Sequence, residues 1–398
     1  MTIARTLRLL LFLAALWLLI IPARAQTAIN IEPTQVEYTV GGQIHFETRL
    51  PPEIPVREVW VFVHPLENPG TIAGQATLQP SNGITYTLNL AEHPIQVYSV
   101  VEFWYQITLE DGTIVETDPE TFSYTDNRFD WQTLDEPPFE VFWYEGDTAF
   151  GQEILNATRE GMQKTMDFLP VPVPESVTIY VYASASELQT ALRLSGQTGA
   201  LIVGHASLEL DSVLVTIPPG PAQTYETKRQ VPHEIAHLLM YEWLGKNYYN
   251  LPQWLREGVP SISELFPNPD YVALLNQAYA DDALLPMTSL CENFPLDASN
   301  FLLAYAQSTS FTWFLYGQYG SSGLEALSRA YADGLGCDPG AEAALGRSLT
   351  ELERDWRQVT FGENPFPAAL KNLAPWLFLL AVVLLPSLLL IIGQRRSN

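Results

Sequence analysis

Two histidines four residues apart, with a glutamate directly after the first, stand in RQVPHEIAHLLMYEW at 229–243. On an α-helix, residues four apart share a face, so His233 and His237 can turn both imidazoles toward one ion. Glu234 lies one step round the same helix, within reach of a water on that ion. The chemistry of such a trio is metal-assisted hydrolysis with the carboxylate as base. A catalytic zinc takes three protein ligands and leaves a fourth position to water. No histidine follows His237, which excludes a third histidine downstream of the motif, and a glutamate on a second helix is the other common solution. Glu257, in LPQWLREG at 251–258, falls 20 residues after His237. The stretch between, with Gly245, Asn247, Asn250 and Pro252, reads as a reversal between two antiparallel helices. The same residues also admit a structural reading, with two core histidines and Glu257 as an exposed helix residue beside Arg256.

The elements that must position these groups follow from pattern. Val231, Ile235, Leu238, Leu239 and Met240 give the motif helix a buried side. Upstream, 140–144, 177–183, 201–208 and 213–217 read as strands, and 147–168 as a helix capped by Asp147. Beyond Gln223 the chain reads as mostly helical to 359. Strands followed by helices indicate an α+β domain over 139–362. Residues 26–125 read differently. Segments 44–50, 56–63, 84–90, 97–109 and 113–117 are rich in β-branched and aromatic residues, and Asp111-Gly112 marks a hairpin turn. That pattern predicts an all-β sandwich of immunoglobulin or fibronectin type. The polar stretch 126–138 reads as a linker.

HExxH followed by a Trp-Leu-x-Glu-Gly segment resembles the thermolysin-like gluzincin metallopeptidases, and in particular the peptidase MA-like family of exported bacterial proteins. The strict match covers 232–261. A looser one covers 140–360, including AYAQSTSFTWFLYGQYG at 304–320 and LTELERDWRQ at 349–358. The resemblance implies a zincin-like metallopeptidase fold, with Zn2+ held by His233, His237 and Glu257, Glu234 as general base and a peptide or protein substrate. Members add a hydroxyl or imidazole that donates to the oxyanion. Tyr305 is the candidate; Tyr241, Tyr248, Tyr249 and His205 compete, and a packing role for Tyr305 stays open. Two residues depart from the pattern. Pro232 stands just before the motif, where it must sit near a helix start or kink the helix, and Pro260 occupies a position where the family has a small residue. A substrate strand would pair with a sheet edge; segment 211–217, just ahead of the motif helix, is the candidate, with a buried core strand as the alternative.

The two ends set the expected location. Residues 1–25 carry a basic start, an apolar run and Ala23-Arg24-Ala25, the pattern of a cleaved signal peptide. Residues 374–393 are uncharged and long enough to span a bilayer, and Arg395 and Arg396 in the tail 394–398 favour the cytoplasmic side. The expectation is a single-pass cell-membrane protein with its bulk extracytoplasmic. Of the 20 basic residues, three precede residue 26 and two follow 393, while none of the 45 acidic residues lies in either end. The body, 26–373, therefore carries a formal charge of −30, which argues against nucleic acid as a partner. Cys291 and Cys337 read as one disulfide in an oxidising compartment, or as two buried thiols. The rival to an enzyme is a catalytically weak or inactive zincin-fold binding or envelope protein; a non-peptidase zinc hydrolase is a third reading.

Overall fold

The computed structural model describes residues 29, 31–194, 204–362, 375–376 and 378–379. The signal segment 1–25, the tail 394–398 and all but four residues of the apolar segment 374–393 lie outside the described residues. Among the described residues no helix is long and apolar enough to cross a membrane. The chain divides into two compact units, one of residues up to 128 and a second that starts at Phe129; the short stretch 190–194 groups with the first.

Among the described residues, the first unit holds nine strands in two antiparallel sheets. One has the order β1 (Gln35–Tyr38), β2 (Gln43–Arg49), β6 (Gly83–Asn89), β5 (Thr77–Gln79). The other runs β4 (Ile72–Gln75), β3 (Val56–Pro65), β7 (Ser99–Leu109), β8 (Ile114–Glu116), with β9 (Glu120–Tyr124) also on β7. Strict alternation drives the packing. In β3, Val59, Val61 and Val63 are fully buried while their neighbours are half-exposed, as expected for strands with one wet face. Phe46 of one sheet meets Phe103 of the other with ring centroids 5.0 Å apart.

The second unit is mixed. Its sheet has the order β10 (Gln132–Glu136), β11 (Phe139–Trp143), β12 (Val177–Tyr182), β14 (Ser212–Thr216), β13 (Gly204–Ser207). β11, β12 and β14 are parallel, while β10 and β13 run antiparallel at the two edges. Strand β10 falls inside 126–138, the stretch that reads as a linker. Its polar side chains suit an exposed edge, and its backbone pairs with β11 throughout. β14 is buried at every position and lies between β12 and β13. Segment 211–217 is therefore not the sheet edge near the motif helix, and the expectation for it is corrected; β13 is that edge.

Among the described residues, eight α-helices stand in the order α1 (Thr148–Phe168), α2 (Ala185–Leu194), α3 (Gln223–Leu244), α4 (Gln253–Ser263), α5 (Asp270–Ala280), α6 (Ala298–Ala332), α7 (Cys337–Leu345) and α8 (Leu349–Phe361). Asp147 caps α1 by accepting from the Phe150 N–H. One apolar core joins the sheet to α1, α3, α4 and α6. Trp254 of α4 is fully buried, edge-on to Phe311 and Tyr331 of α6; burying such a ring stabilises by roughly 1.5–3 kcal/mol. Cys291 and Cys337 are bridged, with Cα atoms 6.1 Å apart.

Candidate metal centre

α3 carries the motif through its middle. Pro232 lies inside this helix, well past its start, and the helix continues through it. The proline ring packs against α1 where Gly161 has no side chain; a Cβ there would come 2.6 Å from the Pro232 Cβ. Pro232 also offers no N–H to the carbonyl of Lys228, one turn back. That carbonyl accepts instead from the backbone N–H groups of Leu265 at 2.9 Å and Phe266 at 3.3 Å. A defect in the helix thus ties down the chain that leaves α4.

α4 runs back along α3 after a short 3-10 turn over Gly245–Asn250. It approaches α6 closely at Gly258, where a Cβ would lie 2.1 Å from Thr312 Oγ1 and 2.9 Å from the Ser308 carbonyl. This contact explains why glycine follows Glu257. Pro260 is buried within α4 and removes no ligand.

The structure brings His233, His237 and Glu257 together, with one ligand atom from each inside 4.8 Å of the others. Glu257 Oε2 is 3.5 Å from His233 Nε2 and 3.6 Å from His237 Nε2. Donors at about 2.0–2.2 Å from a tetrahedral ion lie about 3.3–3.6 Å apart, so these spacings suit a shared divalent metal. Glu257 Oε1 is held by Gln253 Nε2 at 3.0 Å, which leaves Oε2 for the centre. The outer ring nitrogens are engaged as well. His233 Nδ1 is 3.1 Å from Glu264 Oε1, and His237 Nδ1 is 2.7 Å from the Tyr248 hydroxyl. Such partners fix the tautomer that presents Nε2 to a metal.

Glu264 was not among the residues singled out by sequence. It lies seven residues after Glu257, two helical turns on, and that spacing is the signal that would have found it. Tyr248, a competitor for the oxyanion role, has its hydroxyl on His237 instead. Tyr241 packs its ring on Tyr248 and Tyr249.

Burial disfavours charge on His233, yet hydrogen bonds to Glu257 and Glu264 outweigh it and push the imidazole up to about 10. Burial raises Glu257 too, but the His237 charge and bonds to both histidines hold it well below the usual carboxylate range. For Glu234 burial prevails over the nearby histidines and its carboxyl is raised. Burial, then the Glu257 charge, raise the Tyr305 hydroxyl well above the ordinary tyrosine value.

Two cavities of about 610 and 370 Å³ share Gly204, His233, Glu234 and Tyr305 in their walls. His205, Ala206, His237, Tyr249 and Glu257 line the smaller one. The Tyr305 ring centroid is 6.5 Å from that of His233. Edge strand β13 passes over Glu234 so closely that a Cβ on Gly204 would sit 2.3 Å from Glu234 Oε1. Glu234 is thereby boxed between β13 and the histidines, with its carboxyl in the cleft.

A sheet flanked by an HExxH helix, and a second helix returning an acidic ligand, define the metal-dependent peptidase-like class. The model of the peptidase MA superfamily matches residues 157–362, more than half of the chain, and the protein belongs to that superfamily. No curated protein matches it. Among solved structures, it is similar to a purple acid phosphatase from yellow lupin (Lupinus luteus) seeds, 9% identical with a TM-score of 0.22, over 48% of this chain and 35% of that one. A polysaccharide deacetylase from Bacillus cereus is also 9% identical, with a TM-score of 0.20, over 48% of this chain and 60% of that one. The chain thus spans less than two thirds of each, and at these scores neither likeness bears on fold or activity.

Proposed function

We propose that the protein is a zinc-dependent metallopeptidase of gluzincin type that hydrolyses peptide bonds outside the cytoplasm. On this reading residues 374–393 anchor it in the cell membrane, 1–25 direct its export, and 26–125 form an immunoglobulin- or fibronectin-like sandwich ahead of the peptidase domain. One observation carries the activity: His233, His237 and Glu257 converge while the Glu234 carboxyl stands on the adjacent step of the same helix, in one cleft.

Zinc held by His233, His237 and Glu257 would supply a Lewis acid for the carbonyl and would lower the pKa of a water. Glu234 takes a proton from the water and later delivers it to the leaving amine. Tyr305 donates its hydroxyl proton in a hydrogen bond to the oxygen that gains charge. Glu264 and Tyr248 hold the two imidazoles in position. The substrate backbone pairs with edge strand β13, whose Gly204–Ala206 segment lines the cleft.

The test is metal analysis and peptide hydrolysis by the purified full-length protein beside Glu234→Ala. The expected result is stoichiometric zinc in both proteins and turnover only in the wild type. Stoichiometric zinc with equal turnover by both would favour a binding or envelope role, and a protein without zinc would end the reading.

A further inference from the structure

The turns of α3 before the motif face the same cleft. Glu226, Gln230, Glu234 and His237 follow at steps of three and four, which keeps them on one side of the helix. Of these, Glu226, Gln230 and Glu234 wall the larger cavity, together with Glu264 beyond α4 and Asp270 of α5. Arg229 is the only arginine or lysine among the described residues lining it. Its charge is already matched: Nη2 and Nε donate to Glu226 Oε2 at 2.6 and 3.2 Å.

What remains in the wall is acceptors. Gln230 is 5% exposed. Its Nε2 donates to Glu226 Oε2 at 2.8 Å, which fixes the amide, and its Oε1 is buried with no hydrogen-bond partner among the described residues. Glu264 is 3% exposed; Oε1 serves His233, while Oε2 is likewise buried and unpartnered. Asp270 adds an exposed carboxylate at the rim. A buried acceptor with no donor costs about 1–3 kcal/mol, which a ligand rich in N–H groups relieves. An anionic group entering the same space would face the unpartnered Glu264 Oε2 and the exposed Asp270 carboxylate, while Arg229 is already engaged by Glu226 and His233 by Glu264 Oε1.

We propose that this cavity is the specificity pocket and that it accepts a cationic group of the substrate, an ammonium or guanidinium. The assignment rests on the peptidase reading for the identity of the substrate as a peptide. Two sources carry that chemistry: a lysine or arginine side chain beside the scissile bond, or a free amino terminus.

Hydroxamic acids derived from lysine, arginine, norleucine and glutamate separate these cases, each made with a free and an acetylated α-amine. The hydroxamate chelates the metal, so binding to the zinc-loaded full-length protein is read by calorimetry without turnover. Lysine and arginine compounds are expected to bind about tenfold more tightly than norleucine. Persistence of that gap after acetylation assigns the side chain; a gain from the free amine alone, whatever the side chain, assigns the amino terminus. Gln230→Leu is expected to shrink the preference about fivefold, leaving zinc content unchanged. Asp270→Asn, at an exposed position that leaves the fold intact, is expected to shrink it about twofold. Norleucine binding equal to lysine with no gain from the free amine, or glutamate binding best, would overturn the proposal. Discrimination among hydroxamates with no peptide cleaved would leave the pocket standing and remove the peptidase reading. Peptide cleavage without discrimination would do the reverse.

Discussion

The carbonyl of Lys228 accepts a hydrogen bond from the backbone N–H of Leu265 at 2.9 Å, in place of the helical bond that Pro232 cannot donate. Leu265 follows Glu264, whose carboxylate holds His233. A proline one residue before His233, a candidate metal ligand, thus leaves a carbonyl that ties down the segment carrying that histidine's outer partner, through a backbone bond from α3 to the chain just past α4.

Pro232→Ala tests this coupling. The new N–H competes for the Lys228 carbonyl, and helix propensity favours alanine by about 3 kcal/mol, offset by lost packing against Gly161. Thermal stability is expected to hold or rise while metal affinity falls about tenfold, because Glu264 loosens. Chelator competition and thermal unfolding on the same sample measure both. Unchanged affinity would show that the Lys228–Leu265 bond does not position the site.

Glu264→Gln and Tyr248→Phe probe the two imidazole partners directly. Each is expected to weaken metal binding by about 10- to 100-fold, with turnover largely recovered in excess metal. Loss of turnover that added metal does not restore, in either variant, would instead place that side chain in the chemistry.

Gly204→Ala separates the proposed base, Glu234, from the proposed metal site. The added methyl lies 2.3 Å from Glu234 Oε1, so the carboxylate must move while the three ligands need not. A displacement of about 1 Å costs on the order of 100-fold in kcat. Metal content should match wild type, and a kcat within a factor of about two of wild type would mean that Glu234 has slack here.

How far the site could be read from sequence depended on whether a relation was local. His233, His237 and Glu234 are fixed by one helical period, and Glu257 by the length of one turn between helices, so residue type and spacing sufficed. Gly204 faces Glu234 across thirty positions of chain, and its role exists only once β13 crosses α3. Glu264 lay within reach, two turns past Glu257, but its value depends on the free Lys228 carbonyl, a tertiary consequence of Pro232. The sheet shows the same division. The apolar run of β14 marks a strand, while its place inside the sheet is set by β13 pairing on its far side. The polar segment 126–138 looks like a linker because an edge strand needs only backbone hydrogen bonds to pair.

Tyr305→Phe addresses the oxyanion. A donor used only as charge develops lowers kcat and kcat/KM together. The expected loss is about 100- to 1,000-fold, with zinc content intact. A fall below about threefold would return Tyr305 to a packing role beside Phe294 and Phe301.

The β unit has its own titration. Tyr105 and Tyr124 are 1% and 0% exposed, and burial pushes each hydroxyl up to about 12. An unfolded tyrosine ionises near 10. The folded state therefore holds these protons more tightly, and the stability this confers is complete below pH 10 and disappears as pH rises toward 12. Each tyrosine contributes on the order of 2 kcal/mol at stake in that window. Alkaline titration of the full-length protein should show a late tyrosinate absorbance step coincident with loss of β-sheet circular dichroism. Tyr105→Phe and Tyr124→Phe should each move that step to higher pH, provided the variant keeps its neutral-pH stability. Tyrosines that all ionise near 10 with the sheet signal intact would show that neither hydroxyl is shielded as the packing implies.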